Sequence, residues 1–172
     1  FNAIGWAPPE ELTEERMAPF FELMMESGIT AIFDAFIEND RQIQTVYEMD
    51  RAGKLFVYYD ASVRFWRYED LPEKIDKLRE YQRLYTTEHI KFNTMKLFLD
   101  GTNESGNSAS LHEHIHDPGN YGEIMMEKDE LVRCFLLCNR EGLDLHIHMV
   151  GDRAFKVGCD AVEKAQKTAA EN

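Results

Sequence analysis

The chain has 172 residues, enough for a domain with a real core but short for an architecture of eight strands and eight helices. Its formal charge of −13, from 32 acidic and 19 basic side chains, opposes binding to duplex nucleic acid or to an anionic membrane surface. No run of about 18 apolar residues offers a membrane span, and Cys134, Cys138 and Cys159 form no CxxC pair, so a reducing, cytoplasmic setting is expected.

Pro9 to Ser27 reads as an amphipathic helix, with an acidic first turn after Pro8 and Pro9, then Met17, Phe20, Phe21, Leu23 and Met24 on a broad face, and a stop at Gly28. "GITAIFDAF", Gly28 to Phe36, is a short β-branched run that suits a strand buried on both faces. "NDRQIQTVYEMDRAGK" has Ile43, Val46, Tyr47 and Met49 at helical spacing. "KLFVYYDASVRF" predicts a second strand, the segment from about Pro72 to Tyr85 a charged helix, and "IKFNTMKLFLDG" a third strand. After a long polar segment come a helix in "EKDELVRCFLLCNREG", a strand in "LDLHIHMV" and a helix in "DRAFKVGCDAVEKAQKTAAEN". Strict alternation forces parallel strands joined by right-handed crossovers, so the fold class is α/β, built of parallel (βα) units, either an open sheet or a slice of a barrel.

In such folds chemistry gathers where strands end, and the ends here offer Asp34, Asp60 with Arg64, Lys96 with Asp100, and His146 with His148 and Asp152. Lys96 lies between Met95 and Leu97 in a run that should be buried. Either it pairs with a carboxylate such as Asp100 or Asp34, or lies at an exposed edge, or has a lowered pKa that lets it react with carbon dioxide to give a carbamate, an anionic oxygen ligand for divalent metals. His146 and His148 share one strand face because side chains alternate, and His148, at the Gly-Asp turn, stands where a metal ligand belongs. The segment Asp100 to Glu123 is far longer than an ordinary connection and should cover a site. Its His112, His114 and His116 alternate and could chelate zinc or nickel if extended; otherwise they belong to a solvated loop. No GxGxxG, GxxxxGK[ST] or GxSxG motif is present.

The "MKLFLDG" around Lys96, the "HMVGDRA" element within "DPGNYGEIMMEKDELVRCFLLCNREGLDLHIHMVGDRAF", and more weakly "GITAIFDA", resemble the amidohydrolase superfamily, in particular amidohydrolase family 3, the YtcJ-like branch. The resemblance spans most of the chain and implies strands two to five of a (βα)8 TIM barrel of a metal-dependent hydrolase acting on amide or related C–N bonds. It places Lys96 on the fourth-strand lysine, often carboxylated, and His148 on the fifth-strand histidine ligand, with zinc the expected metal; His146 matches no ligand position. Asp100, Gly101 and Asp152 fall where substrate contacts are expected. The chain departs from the family in reading "DGTNESGNSA", with Glu104 and Asn107 near the places of a serine and an arginine. No catalytic acid or base is assigned within the chain.

The N-terminal "FNAIGWAPPEE" lacks a secretory signal pattern and an initiator methionine, and the C-terminal end stops on a helical pattern. Residues 1–172 are therefore expected to be a single, partial barrel domain, inactive alone, from a longer enzyme with a small amide-type substrate. The alternatives are a non-catalytic regulatory or binding module on the same scaffold, and a small metal-binding α/β domain using His112, His114 and His116. An incomplete barrel would also leave Ile32, Val57, Phe92, Phe98, Ile147 and Met149 as candidates for exposed apolar surface, favouring a homodimer.

Overall fold

Local chemistry sets the limits of the elements. Asn39 takes an extended backbone and its side chain accepts the Gln42 N–H at 3.0 Å, capping the helix that begins at Asp40. The helix ending at Arg140 stops at Gly142, whose φ of +65° a side chain would disfavour. The computed structural model describes residues 12–37 and 39–170. In chain order these form α1 (Glu14–Glu26), β1 (Ala31–Asp34), α2 (Asp40–Arg51), β2 (Tyr58–Arg64), α3 (Leu71–Tyr85), β3 (Ile90–Phe98), α4 (Lys128–Arg140), β4 (Asp144–His148) and α5 (Asp152–Ala170), with a 3-10 turn before α3. Each element expected from the sequence is present; the part of the first helix expected between Pro9 and Glu11 lies outside the described residues.

The strand order is β1-β2-β3-β4. Parallel register pairs Ala31 with Tyr58 and Asp34 with Ala61 at one end, and Thr94 with Asp144 and Phe98 with His148 at the other. Between β2 and β3, Tyr59 N–H donates to the His89 carbonyl and Phe65 N–H to the Lys96 carbonyl. Sequence-order pairing is what short right-handed crossovers produce, and the fold is α/β with parallel (βα) units. One expectation is corrected: β1 is not buried on both faces but alternates exposed and half-buried residues. Among the described residues it is an edge strand, with β2 on one side of it.

The chain divides into two compact units, residues up to 61 with 79–92, and residues 62–78 with 93 onward. In the first, Phe21, Ile43, Val46, Met49, Tyr59, Ile90 and Phe92 form the core. Val57 and Phe92, expected as exposed surface, are each only 1% exposed. Within this unit the Asp34 carboxylate accepts hydrogen bonds from the Tyr59 hydroxyl and from Gln42 Nε2. Burial first, and the Asp34 charge second, push the Tyr59 phenol far above the usual tyrosine value. In the second unit Met95, Leu97 and Leu99 are fully buried, α4 packs on α5, and Gly158 of α5 leaves room for Met149, whose sulfur would lie 2.4 Å from a Cβ there. Burial raises the Cys134 and Cys138 thiols to about 12, which makes them inert, whereas Cys159 is exposed.

Tyr59→Phe is expected to lower stability by about 1–2 kcal/mol by removing a charge-assisted hydrogen bond. It should leave the alkaline phenolate titration of the folded chain unchanged, because Tyr59 does not ionise there. Denaturant unfolding and ultraviolet absorbance against pH check the two parts.

Candidate metal centre

Pairing of Lys96 with His146 and of Phe98 with His148, combined with alternation along each strand, puts these four side chains on one face. The Lys96 and His148 rows therefore meet at the end of the sheet where β3 and β4 finish. Lys96 is only 3% exposed, and its ammonium lies 4.6 Å from the centroid of the Phe98 ring. The Phe98 and His148 rings are 4.9 Å apart. Among the described residues no carboxylate is paired with Lys96, so burial lowers its pKa without an opposing charge. The His146 pKa is lowered too, by burial first and then by Lys96 and His148. His148 Nε2 donates to the Gly101 carbonyl at 3.0 Å, and since a carbonyl only accepts, the proton is on Nε2 and Nδ1 keeps its lone pair in the neutral ring. Beside them Trp66, half exposed, stacks on Phe98 at 5.8 Å, with the Arg64 guanidinium 4.7 Å from the Trp66 ring.

The long loop is fixed to this face by a clamp that sequence reasoning missed. Asp100 is fully buried, and its carboxylate accepts three backbone N–H groups: Ala109 at 2.9 Å, Val150 at 2.9 Å and Gly151 at 2.8 Å. The Gly-Asp-Arg-Ala run supplies the matching half. Gly151 leaves room for the Ala109 carbonyl, which would lie 1.8 Å from any Cβ there. Asp152 accepts the Leu111 N–H at 2.7 Å, and this bond leads the effects that lower its pKa. The Arg153 guanidinium donates to the Tyr121 and Gly122 carbonyls at 3.1 and 2.8 Å, while the Arg153 and Ala154 N–H groups donate to the Ala109 carbonyl. The one signal available in the sequence was the Gly-Asp-Arg-Ala run itself, taken above only as the turn that follows His148.

Of the three expected substrate contacts, Asp100 thus directs both oxygens to the backbone, Asp152 is exposed but holds Leu111, and Gly101 presents its carbonyl to His148. The histidine cluster is a correction. His114 and Asp117 bridge a tight turn, so the segment is not extended, and the ring of His114 donates to the Ser108 carbonyl at 2.9 Å while His112 and His116 are exposed. Alternation along an extended chain was the condition for chelation, and the turn removes it.

Among the described residues no group of three or more His, Cys, Asp or Glu side chains converges to hold a metal ion. Lys96 and His148 nevertheless fit part of such a shell: one is a buried amine without a counter-charge, the other a histidine whose second nitrogen is fixed by a carbonyl, as ligating histidines usually are. The sequence profile of the amidohydrolase family matches residues 3–172. The chain belongs to that family. It is 25% identical over 167 residues to the exoenzymes regulatory protein AepA of Pectobacterium carotovorum subsp. carotovorum, covering 97% of this chain and 34% of that one. It is 29% identical over 93 residues to the putative amidohydrolase YtcJ of Bacillus subtilis, covering 54% and 17%. Among solved structures it is similar to uncharacterized metal-dependent hydrolases of Pyrococcus furiosus (TM-score 0.71, 25% identity, 91% of this chain and 33% of that one) and of Pyrococcus horikoshii (0.67, 26%, 89% and 31%). The family resemblance read from "MKLFLDG" and "HMVGDRA" is borne out, and the chain spans about a third of the length of AepA and of both solved hydrolases.

Two predictions follow from this geometry. Lys96→Met should stabilise the chain near neutral pH by roughly 1 kcal/mol or more, since it removes an unpaired buried charge. Protonation of Lys96 opposes folding, and because its folded pKa is lowered, the penalty is absent above the ordinary lysine value of about 10.4 and grows as pH falls toward the depressed value. The gain over the unaltered chain should therefore shrink between neutral pH and pH about 10, as thermal unfolding at a series of pH values would show. Asp100→Ala should cost about 3–5 kcal/mol by leaving three backbone N–H groups without their acceptor, measured by denaturant unfolding.

Proposed function

We propose that the protein carrying this chain is a metal-dependent hydrolase of non-peptide, amide-type C–N bonds, and that Lys96 and His148 are two of its metal ligands. The observation that carries this reading is Lys96: a lysine 3% exposed, facing His148 across Phe98, with no carboxylate paired to it among the described residues. A lysine paired with Asp100 would have been a structural feature, and Asp100 is instead bound to three backbone amides.

A divalent metal, zinc foremost, would supply an acidified water and polarisation of the substrate carbonyl. The residues of the chain do the rest. Desolvation favours the neutral amine of Lys96, whose nitrogen can attack carbon dioxide and lose a proton to give a carbamate with two ligating oxygens. His148 holds its proton on Nε2 against Gly101 and offers Nδ1. The clamp at Asp100, Gly151 and Arg153 keeps the loop seated where it would border a substrate. The acid or base for the leaving group is not assigned to any residue here. Two ligands do not hold a catalytic metal in a defined open geometry, so the 172 residues alone are proposed to be inactive, and the parent protein to act in the cytoplasm.

The family relationship to AepA, named as a regulatory protein, favours a second reading in which the scaffold has lost catalysis and kept binding. The test is turnover of N-acyl and formamide substrates by the intact protein, before and after chelation and zinc restoration. The hydrolase reading expects activity that chelation abolishes and that Lys96→Ala or His148→Ala lowers by about a hundredfold or more. Activity indifferent to chelation and to both substitutions would overturn it. Zinc binding without turnover of any C–N substrate would favour the regulatory reading.

A further inference from the structure

The geometry points to Asn107 as the positioning residue for His148, acting through a single peptide unit. The Gly101 carbonyl that accepts the His148 Nε2–H and the N–H of Thr102 are opposite ends of one planar amide, so fixing either end fixes the other. Asn107 holds the far end: its Oδ1 accepts the Thr102 N–H at 2.8 Å. Asn107 also holds the near side, because its own carbonyl accepts the Gly101 N–H at 3.3 Å and its N–H donates to the Thr102 carbonyl at 3.2 Å. Gly101 is bare for the same reason, since a Cβ there would lie 1.9 Å from Asn107 Oδ1 and 2.2 Å from Cγ.

A flip of the Gly101–Thr102 peptide would turn the carbonyl away from His148 and its N–H toward the ring. It would then reward the opposite tautomer, with the proton on Nδ1 and the lone pair on Nε2. Asn107 Oδ1 opposes that flip, because the flipped amide would aim its carbonyl oxygen at another acceptor oxygen. Two hydrogen bonds in line, from His148 to Gly101 and from Thr102 to Asn107, joined through the one amide, also polarise one another in the same sense. Asn107 is itself exposed, and its amide oxygen additionally accepts from the Ser105 hydroxyl at 2.9 Å, which orients it. Asn107 lies near the place where the family resemblance leads one to expect an arginine, so the device uses a residue that the family pattern does not supply. It sets which nitrogen of His148 is available to a ligand, and its relevance to catalysis rests on the metal reading above.

The test is nuclear magnetic resonance of the protein with 15N in its histidine rings, which reports directly which ring nitrogen of neutral His148 carries the proton and needs no metal. The unaltered protein and Asn107→Asp, which keeps an acceptor oxygen, should show the Nε2–H form. In Asn107→Ala the Nδ1–H form should gain about three- to tenfold in relative population, the effect of one net hydrogen bond. Ser108→Ala removes the bond from the Ser108 hydroxyl to Asn103 in the same loop, leaves the Asn107 side chain and the Gly101–Thr102 amide untouched, and should leave the tautomer as it is. If Asn107→Ala does not fold, Asn107→Ser, too short to reach Thr102, takes its place with the same expectation. An unchanged tautomer in the folded Asn107→Ala or Asn107→Ser variant, or an equal change in Ser108→Ala, would overturn the proposal. Zinc titration of the same samples separates the two readings: a tautomer that follows Asn107 in a protein whose His148 resonances ignore zinc would sustain the positioning role and defeat the metal reading.

Discussion

One buried carboxylate organises the functional end of the second unit. The Asp100 side chain is fully enclosed and accepts three backbone N–H groups drawn from two places in the sequence, Ala109 on the long loop and Val150 with Gly151 after β4. Charge-assisted bonds of this kind are short and directional, and a buried anion with a donor removed is costly, so the three donors must arrive together. The end of β3, the loop and the start of α5 are thereby fixed as one object. The setting of Lys96 and His148 depends on it, because Asp100 immediately precedes the Gly101 carbonyl that orients His148 and, being occupied by backbone amides, does not pair with Lys96.

The charge arrangement around Lys96 follows from that allocation. A chain with 32 acidic side chains has no shortage of carboxylates to place beside a lysine, yet the nearest in sequence is turned to the backbone and the ammonium meets an aromatic ring. Phe98 touches both Lys96 and His148 and lends its face to the Lys96 ammonium. Such an arrangement is poor for stability and suited to chemistry that needs a neutral amine.

The sequence made the order of elements legible because alternating helical and β-branched runs carry their own periodicity, and strict alternation leaves few ways to connect parallel strands. It also made Lys96 and His148 legible, through the oddity of a lysine in an apolar strand and of a histidine before a Gly-Asp turn. Burial of β1 was misjudged because "GITAIFDAF" looks the same on an edge as in the middle; neighbours decide, and neighbours are not local. The His112, His114 and His116 alternation left two readings open for a related reason: a period of two means one face only if the backbone is extended, and here the chain closes a turn between His114 and Asp117, which favours the solvated loop. The clamp was hidden since its acceptor, Asp100, and its donors lie far apart in the chain.

The loop so anchored is tethered at few points: at Asn107 to Ala109, at Leu111, and at Tyr121 and Gly122. Between the last two lies a tip from His112 to Asn120 that is held mostly by its own bonds, such as Glu113 to Gly119 and to Tyr121, with Ile115 standing 91% exposed. Apart from His114, which reaches the Ser108 carbonyl, and Asn120, which reaches the Gly106 carbonyl, such a tip can be rewritten, lengthened or replaced without disturbing the strand ends beneath it. The strand ends can thus stay constant across descendants of this scaffold while the tip diverges, which separates the part of the molecule that keeps its chemistry from the part that is free to acquire a new preference.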